Sequence, residues 1–528
     1  MKTTKYRKFG IVMVSLAMVA LSARAYEWPS IIYDNDGCDM GALYPTKAAI
    51  TPENFYSLRL ANLPGTMVDA VAYCPGVTGY FQLLKAGEMC KREFDYIPGK
   101  CNAFGKFAEK GMDSLGLAAQ FCRDKKLGII ASLRMNDTHD SYTPGLFSDW
   151  KKNHPECLFS TKDKRPRFCS WSALDYSHPE VREFTLKYVR EIAENYDVDG
   201  VLYDFCRHSQ LFRSVANGGT ASAEELAMMN GLIRDLRRMT QEVAKKRGRE
   251  LVTIIRTPDS AAYSKAIGMD IESWLSEGLL DAWIGASYFH LEPWANSVAL
   301  AHKYGVKFFA AMDESRITKG NIGKRYTVNP QIIEGRIGEA SYMARFSAAA
   351  AAGCDGLHIF NFDDLFNATP DVLRRVMNVD FRNLGKVDRL YFAYVRGVGG
   401  ESPSKYLNGG NDYQQLARFN PAEPASIAVG KEYKFPLELG YEFSPEKLAE
   451  AMPKVEAMMM TSFTHYRPMV LKFNGKNATD SGFKDGIMTF RKVNPAYLKP
   501  GINEVSVMVG AESSVGTLLH DFVLSVKY

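Results

Sequence analysis

The chain is 528 residues long, 46% hydrophobic and 24% charged, a composition that supports a large buried core and excludes a fibrous or disordered protein. Its formal charge of +5 comes entirely from the first 25 residues, where Lys2, Lys5, Arg7, Lys8 and Arg24 stand without an acidic partner; the remainder is neutral. A neutral body gives no bulk electrostatic case for nucleic acid or for an anionic membrane.

The basic start leads into the apolar run "GIVMVSLAMVAL" and the small-residue pattern Ala23-Arg24-Ala25, the layout of a secretory signal peptide spanning 1–25, with cleavage expected before Tyr26. The run is about 12 residues, short of the roughly 20 that a spanning helix needs, so stable membrane insertion after cleavage is not expected. The expected location is periplasmic or extracellular. No lipobox cysteine lies near the cleavage point. Nine cysteines, at 38, 74, 90, 101, 122, 157, 169, 206 and 354, would then meet a compartment that permits disulfides, with at least one left over.

From residue 30 onward one theme recurs: a short apolar run ends in polar residues and a helical pattern follows. The strand-like runs are "SIIYDNDG" (30–37), "VDAVAYCPG" (68–76), "LGIIASLRMND" (127–137), "VDGVLYDF" (198–205), "ELVTIIRTP" (250–258), "LDAWIGASY" (280–288), "VKFFAAMDE" (306–314) and "GCDGLHIFNF" (353–362). Between them, "PEVREFTLKYVREIAENY" (179–196) places Val181, Phe184, Val189 and Ile192 at helical spacing, and 223–248 reads the same way. Eight strand–helix units predict a (β/α)8 TIM barrel over 26–400, and no GxGxxG follows the first strand to favour a dinucleotide fold. After about 401 the pattern shifts to alternating runs joined by Asn-Gly and Pro-Gly turns, which predicts a small C-terminal β-sandwich, 401–528, as an ancillary or carbohydrate-binding module. No internal repeat stands out.

In such a barrel the C-terminal strand ends carry the chemistry. Those ends supply Asp34, Asn35 and Asp36; Arg134, Asn136, Asp137 and His139; Asp204, Arg207 and His208; Arg256; Tyr288 and His290; Asp313, Glu314 and Arg316; and Asn361, Asp363 and Asp364. Carboxylates among arginines, amides and aromatic rings describe a sugar site, because glycoside hydrolysis needs two carboxyl groups flanking the scissile bond. Asp204, with Glu314 or Asp313 from across the mouth, is the expected pair, and Asp137 stands in reserve. Asp36, Arg134, Asn136, His139, Arg207, His208, Arg256, Tyr288 and Asn361 are expected to bind substrate. Arg207 and His208 are expected to hold substrate or to lower the pKa of Asp204. Each strand-end aspartate has a competing local role as the cap of the next helix.

The stretches "LDYSHPEVREFTLKYVREIAENYDVDGVLYDFCR", "ASLRMNDTHD" and "GCDGLHIFNF" resemble the secreted bacterial proteins of glycosyl hydrolase-like family 10 over roughly 30–390. The resemblance implies a TIM-barrel glycosidase-like protein and no particular sugar. On the fourth strand, the DGxDxDxE pattern of family 18 chitinases fails at Leu202 and at Cys206, which holds the glutamate position. The DGxRxDxxxH pattern of family 13 amylases fits Asp199, Gly200, Asp204 and His208 but not Leu202. No cofactor is implied. A metal site is not expected either, because no second histidine has ligand spacing to Asp137 and His139. The expected partner is a carbohydrate, and a non-catalytic glycan-binding protein is the alternative.

Overall fold

The computed structural model describes residues 26–37, 50–75, 103–142, 146–206, 208–285, 289–313, 336, 338–362, 370–394, 403–416 and 424–528. All eight expected strands form: β1 (Ile31–Asn35), β2 (Ala70–Tyr73), β3 (Gly128–Arg134), β4 (Gly200–Asp204), β5 (Val252–Thr257), β6 (Ala282–Gly285), β7 (Lys307–Ala311) and β8 (Gly356–Phe360). They pair in parallel, each with the next and β8 with β1, and close a barrel. Two of the longer intervening helices are Pro179–Asn195 and Ala223–Arg247, the latter started by a capping box between Ser222 and Glu225 and ended by left-handed Gly248.

Strand side chains alternate between faces, and here the alternation separates two cores. Ile32, Ala72, Ile130, Leu202, Ile254 and Phe309 pack inside the barrel. Their sequence neighbours Tyr33, Val71, Ile129, Val201, Ile255 and Phe308 pack outward against the helices. Following the inward parity toward the C-terminal ends, apolar residues give way to Asp34, Ser132, Arg134, Asp204, Arg256 and, two residues past Ala311, Asp313. The chemistry of the mouth is therefore fixed by the same two-residue period that builds the floor.

The floor carries a four-fold device. Each even-numbered strand is preceded by an aspartate and opens on a small residue: Asp69-Ala70, Asp199-Gly200, Asp281-Ala282 and Asp355-Gly356. Each aspartate accepts the N–H at the foot of the odd-numbered strand beside it, from Ser30 (2.6 Å), Ile129 (2.9 Å), Thr253 (2.8 Å) and Phe308 (2.9 Å). Arg123, Arg237 and Lys307 pair with three of the four. The small residue leaves room for a larger one alongside: a Cβ on Gly200 would meet Val252 Cγ2 at 2.4 Å, and one on Gly356 would meet Phe309 Cε1 at 2.4 Å. The chain therefore does hold a repeat, one dipeptide long.

The C-terminal region forms antiparallel sheets, as expected. One joins Ala425–Ile427, Lys454–Thr461, Thr479–Lys484, Ile487–Lys492 and Thr517–Lys527; the other joins Glu432–Leu439, Met469–Phe473, Lys476–Asn477 and Gly501–Val509. The strand Arg389–Phe392, ahead of residue 401, also pairs with Thr517–Lys527. Helix Glu339–Ala351 of the barrel contributes Ala344 and Ala348 to the sandwich core, so the two parts share buried surface. Among the described residues no helix is long and apolar enough to cross a membrane.

Candidate active site

Successive strands β3, β4 and β5 place Arg134, Asp204 and Arg256 in direct register, a row of alternating charge at the C-terminal edge. Arg256 is the hub. Its Nη1 donates to Asp204 Oδ2 (3.0 Å) and lies 3.9 Å from Asp34 Oδ2, its Nη2 pairs with Asp313 Oδ2, and its guanidinium lies 5.0 Å from the ring centroid of Phe360. Burial pulls the guanidinium downward in pKa, but Asp204 and Asp313 outweigh it and hold the group well above its ordinary value. The cation therefore stays charged at any working pH. Asp204 also accepts the N–H of Cys206 through Oδ1 (2.9 Å), which fixes the carboxylate plane.

Beside this hub, Asp34 Oδ2 is 2.9 Å from His358 Nε2 and accepts from Ser132 Oγ (3.4 Å). All of these side chains are buried, yet Asp34 Oδ1, Asp313 Oδ1, His358 Nδ1 and Arg256 Nε have no hydrogen-bond partner among the described residues. A buried polar atom left unpaired costs about 1–3 kcal/mol, and the four gathered at this barrel mouth are groups that a polar ligand would satisfy. The set mixes acceptors and donors. Hydroxyl groups, which both give and accept, suit it.

The other expected site residues divide. Asp36 pairs with Arg59 (2.8 Å), and its N–H donates to Asn361 Oδ1 (2.9 Å), so both belong to a knot that joins the first and eighth loops. Asn361 holds a positive φ of 42° there. Asn136 spends its side chain on backbone: its Nδ2 donates to Leu174 O and Gln210 O, and its Oδ1 accepts from Leu174 N. Those bonds brace the loops that carry Leu174 and Gln210. Arg134 pairs with Asp137 (2.9 Å), whose other oxygen lies 2.5 Å from His139 Nδ1. Burial would raise Asp137, but His139 and Arg134 outweigh it and hold the carboxyl well below its usual range. His208 accepts from Thr138 N–H through Nδ1 (3.3 Å) and joins the Asp137 cluster, and the cation beside Asp204 is Arg256. His290 faces the sandwich, between Asp259 (2.5 Å) and Glu438 (3.4 Å). Arg207, Tyr288, Glu314, Arg316, Asp363 and Asp364 lie outside the described residues.

His358 was missed because it sits in the middle of an apolar strand, and Asp34 was passed over for Asp36. Strand parity was the available signal: Asp34 shares the face of Ile32, and His358 follows inward Gly356 by two.

No protein-family model matches the chain, and no curated protein matches its sequence. The resemblance to glycosyl hydrolase-like family 10 therefore stands on its quoted motifs alone. Among solved structures, α-L-fucosidase isoenzyme 2 from Paenibacillus thiaminolyticus aligns at a TM-score of 0.38 and 10% identity, over 66% of this chain and 48% of its own. The chain thus spans about half of that fucosidase. The α-galactosidase of Thermus thermophilus aligns at 0.34 and 15%, over 72% of this chain and 67% of its own. The α-amylase of Geobacillus thermoleovorans aligns at 0.36 and 11%, over 91% and 99%. Likenesses this weak decide nothing about chemistry.

Proposed function

We propose that the protein is an exported glycoside hydrolase acting on a polysaccharide or oligosaccharide at the C-terminal mouth of the barrel. The observation that carries this reading is the buried set of Asp34, Asp204, Asp313 and His358 around Arg256, with its unpaired donors and acceptors. Asp204 is assigned the role of nucleophile or base, because it stands on the inward face at the C-terminal edge of β4, paired with Arg256 and oriented by Cys206 N–H. Asp313 shares the same cation and would stabilise positive charge developing on the sugar ring. Both Asp204 and Asp313 are engaged by Arg256, and the role of proton donor is assigned to Glu314, the next residue after Asp313 in the sequence.

Export through a signal peptide at 1–25 belongs to the same proposal. Tyr26 N donates to Glu250 Oε2 (2.8 Å), a partner that a new α-ammonium group at that position would keep. N-terminal sequencing of exported protein should begin at or near Tyr26.

The second reading, a non-catalytic glycan-binding barrel, is favoured by one observation: a single guanidinium neutralises both Asp204 and Asp313. Incubating the mature protein with a panel of polysaccharides and aryl glycosides separates the two. Released reducing ends or aglycone support hydrolysis, and saturable binding without release supports the binder.

A further inference from the structure

The loops after β3 and β4 bring together a second cluster, apart from the Arg256 hub. Asp137, His139 and His208 each offer one ligand atom, and the three atoms lie within 4.8 Å of one another. The side chain of Asp137 is fully buried and that of His139 is about one-fifth exposed, so the cluster has a fixed carboxylate and an open side. We propose that these three residues bind one divalent transition-metal ion, with zinc the best chemical match.

Two imidazoles and one carboxylate form a set that suits zinc or another borderline transition metal and disfavours calcium and magnesium, which prefer oxygen. Three protein ligands also leave at least one position open. Arg134 donates to Asp137 Oδ2 (2.9 Å) and the His139 backbone N–H to Oδ1 (2.8 Å), so both oxygens are held in place and Oδ1, which faces the His139 ring, is the one offered to the ion. His139 Nδ1 now lies 2.5 Å from that oxygen. Two ligands about 2.1 Å from one ion need a separation of roughly 3 to 3.5 Å, so binding opens this contact slightly, and any proton a ligand atom carries must leave as the ion binds. His208 joins from the neighbouring loop, and its present Nδ1 contact with Thr138 N–H, at 3.3 Å, is a weak one to give up.

The test uses the full mature chain, stripped with chelator and dialysed, titrated calorimetrically with zinc chloride in two buffers of different ionisation enthalpy. One equivalent of zinc with proton release is expected. The His139→Gln and His208→Gln variants, checked for native circular dichroism, should each bind roughly 100-fold more weakly. Cobalt(II) in the wild type provides a readout that needs no variant: visible ligand-field bands without a sulfur-to-cobalt charge-transfer band are expected. Absence of binding, or binding that survives in both variants, overturns the proposal. So does a thiolate band lost in Cys157→Ser, which would place the ion at the other described group of this kind, Cys157, His178 and Glu180. None of these readouts depends on sugar turnover, so the metal site and the assignment of Asp204 stand or fall separately.

Discussion

At the scale of single residues, one cation holds the mouth together. Arg256 is buried and contacts Asp204 and Asp313, with Asp34 slightly farther off. Replacing it with Met removes the counter-charge from three buried carboxylates, and losing one partner of a buried pair costs about 3–5 kcal/mol. Arg256→Met should therefore lower the thermal midpoint clearly. An unchanged midpoint would show that the hub is not a structural charge network. His358→Asn tests the paired side of the site: it removes the Nε2 contact with Asp34 at little cost in volume, and KM or kcat on a responsive glycan should worsen about tenfold or more. The sequence revealed the types of group at this mouth but not their partnerships. Arg256 was legible as a strand-end arginine. That it, and not His208, sits beside Asp204 depends on the register of β4 and β5, which local sequence does not display.

At the scale of elements, the barrel repeats strand pairs. The Asp-small dipeptide before each even-numbered strand ties that strand's foot to its odd-numbered neighbour, and the small residue admits the neighbour's larger side chain. Gly200→Ala and Gly356→Ala should each destabilise the protein by about 1–3 kcal/mol, because the added methyl lands on Val252 or Phe309 in a closed floor. Gly231→Ala, inside helix Ala223–Arg247 with open space around it, should be stabilising by about 0.5–1 kcal/mol. Denaturant midpoints for the three variants check both signs, and equal effects would contradict the packing account. The strands were legible because their apolar runs are short and end in polar residues. The dipeptide repeat is not legible in the sequence because strand–loop–helix spacers of unequal length separate its four copies.

At the scale of the whole molecule, buried polar contacts fasten barrel to sandwich. His290, after β6, lies between Asp259 and Glu438; Glu438 also accepts the N–H of Trp294 (3.2 Å) and the hydroxyl of Tyr394 (3.2 Å). Arg336 pairs with Asp521, and Ser347 donates to Glu442 (2.5 Å). Burial would lower His290, but Asp259 and Glu438 outweigh it and raise its pKa to about 10. A raised histidine binds its proton more tightly in the folded state. Its contribution to stability is therefore complete below the unfolded value of about 6.5 and is lost as pH rises through about 10. Glu438→Gln should weaken thermal stability at neutral pH and flatten its decline on the alkaline side; a parallel alkaline decline in both proteins would exclude His290 as its source. The alternating runs after residue 401 made the antiparallel sheets legible, but the capture of Arg389–Phe392 by one of them and the clamp at His290 depend on contacts between distant segments. A chain ended near residue 400 would lose Glu438, Glu442 and Asp521 together, and it is expected to be insoluble or loosely folded.

The hydrolytic reading of the mouth is tested most directly by turnover of a glycan by the wild type and by Asp204→Asn, a nearly isosteric change that leaves Arg256 with Asp313. Wild-type release of reducing ends, with kcat lower by several orders of magnitude in a folded Asn variant, is the predicted result. Near wild-type turnover in both Asp204→Asn and Asp313→Asn would contradict the assignment of the Arg256 hub as the catalytic centre.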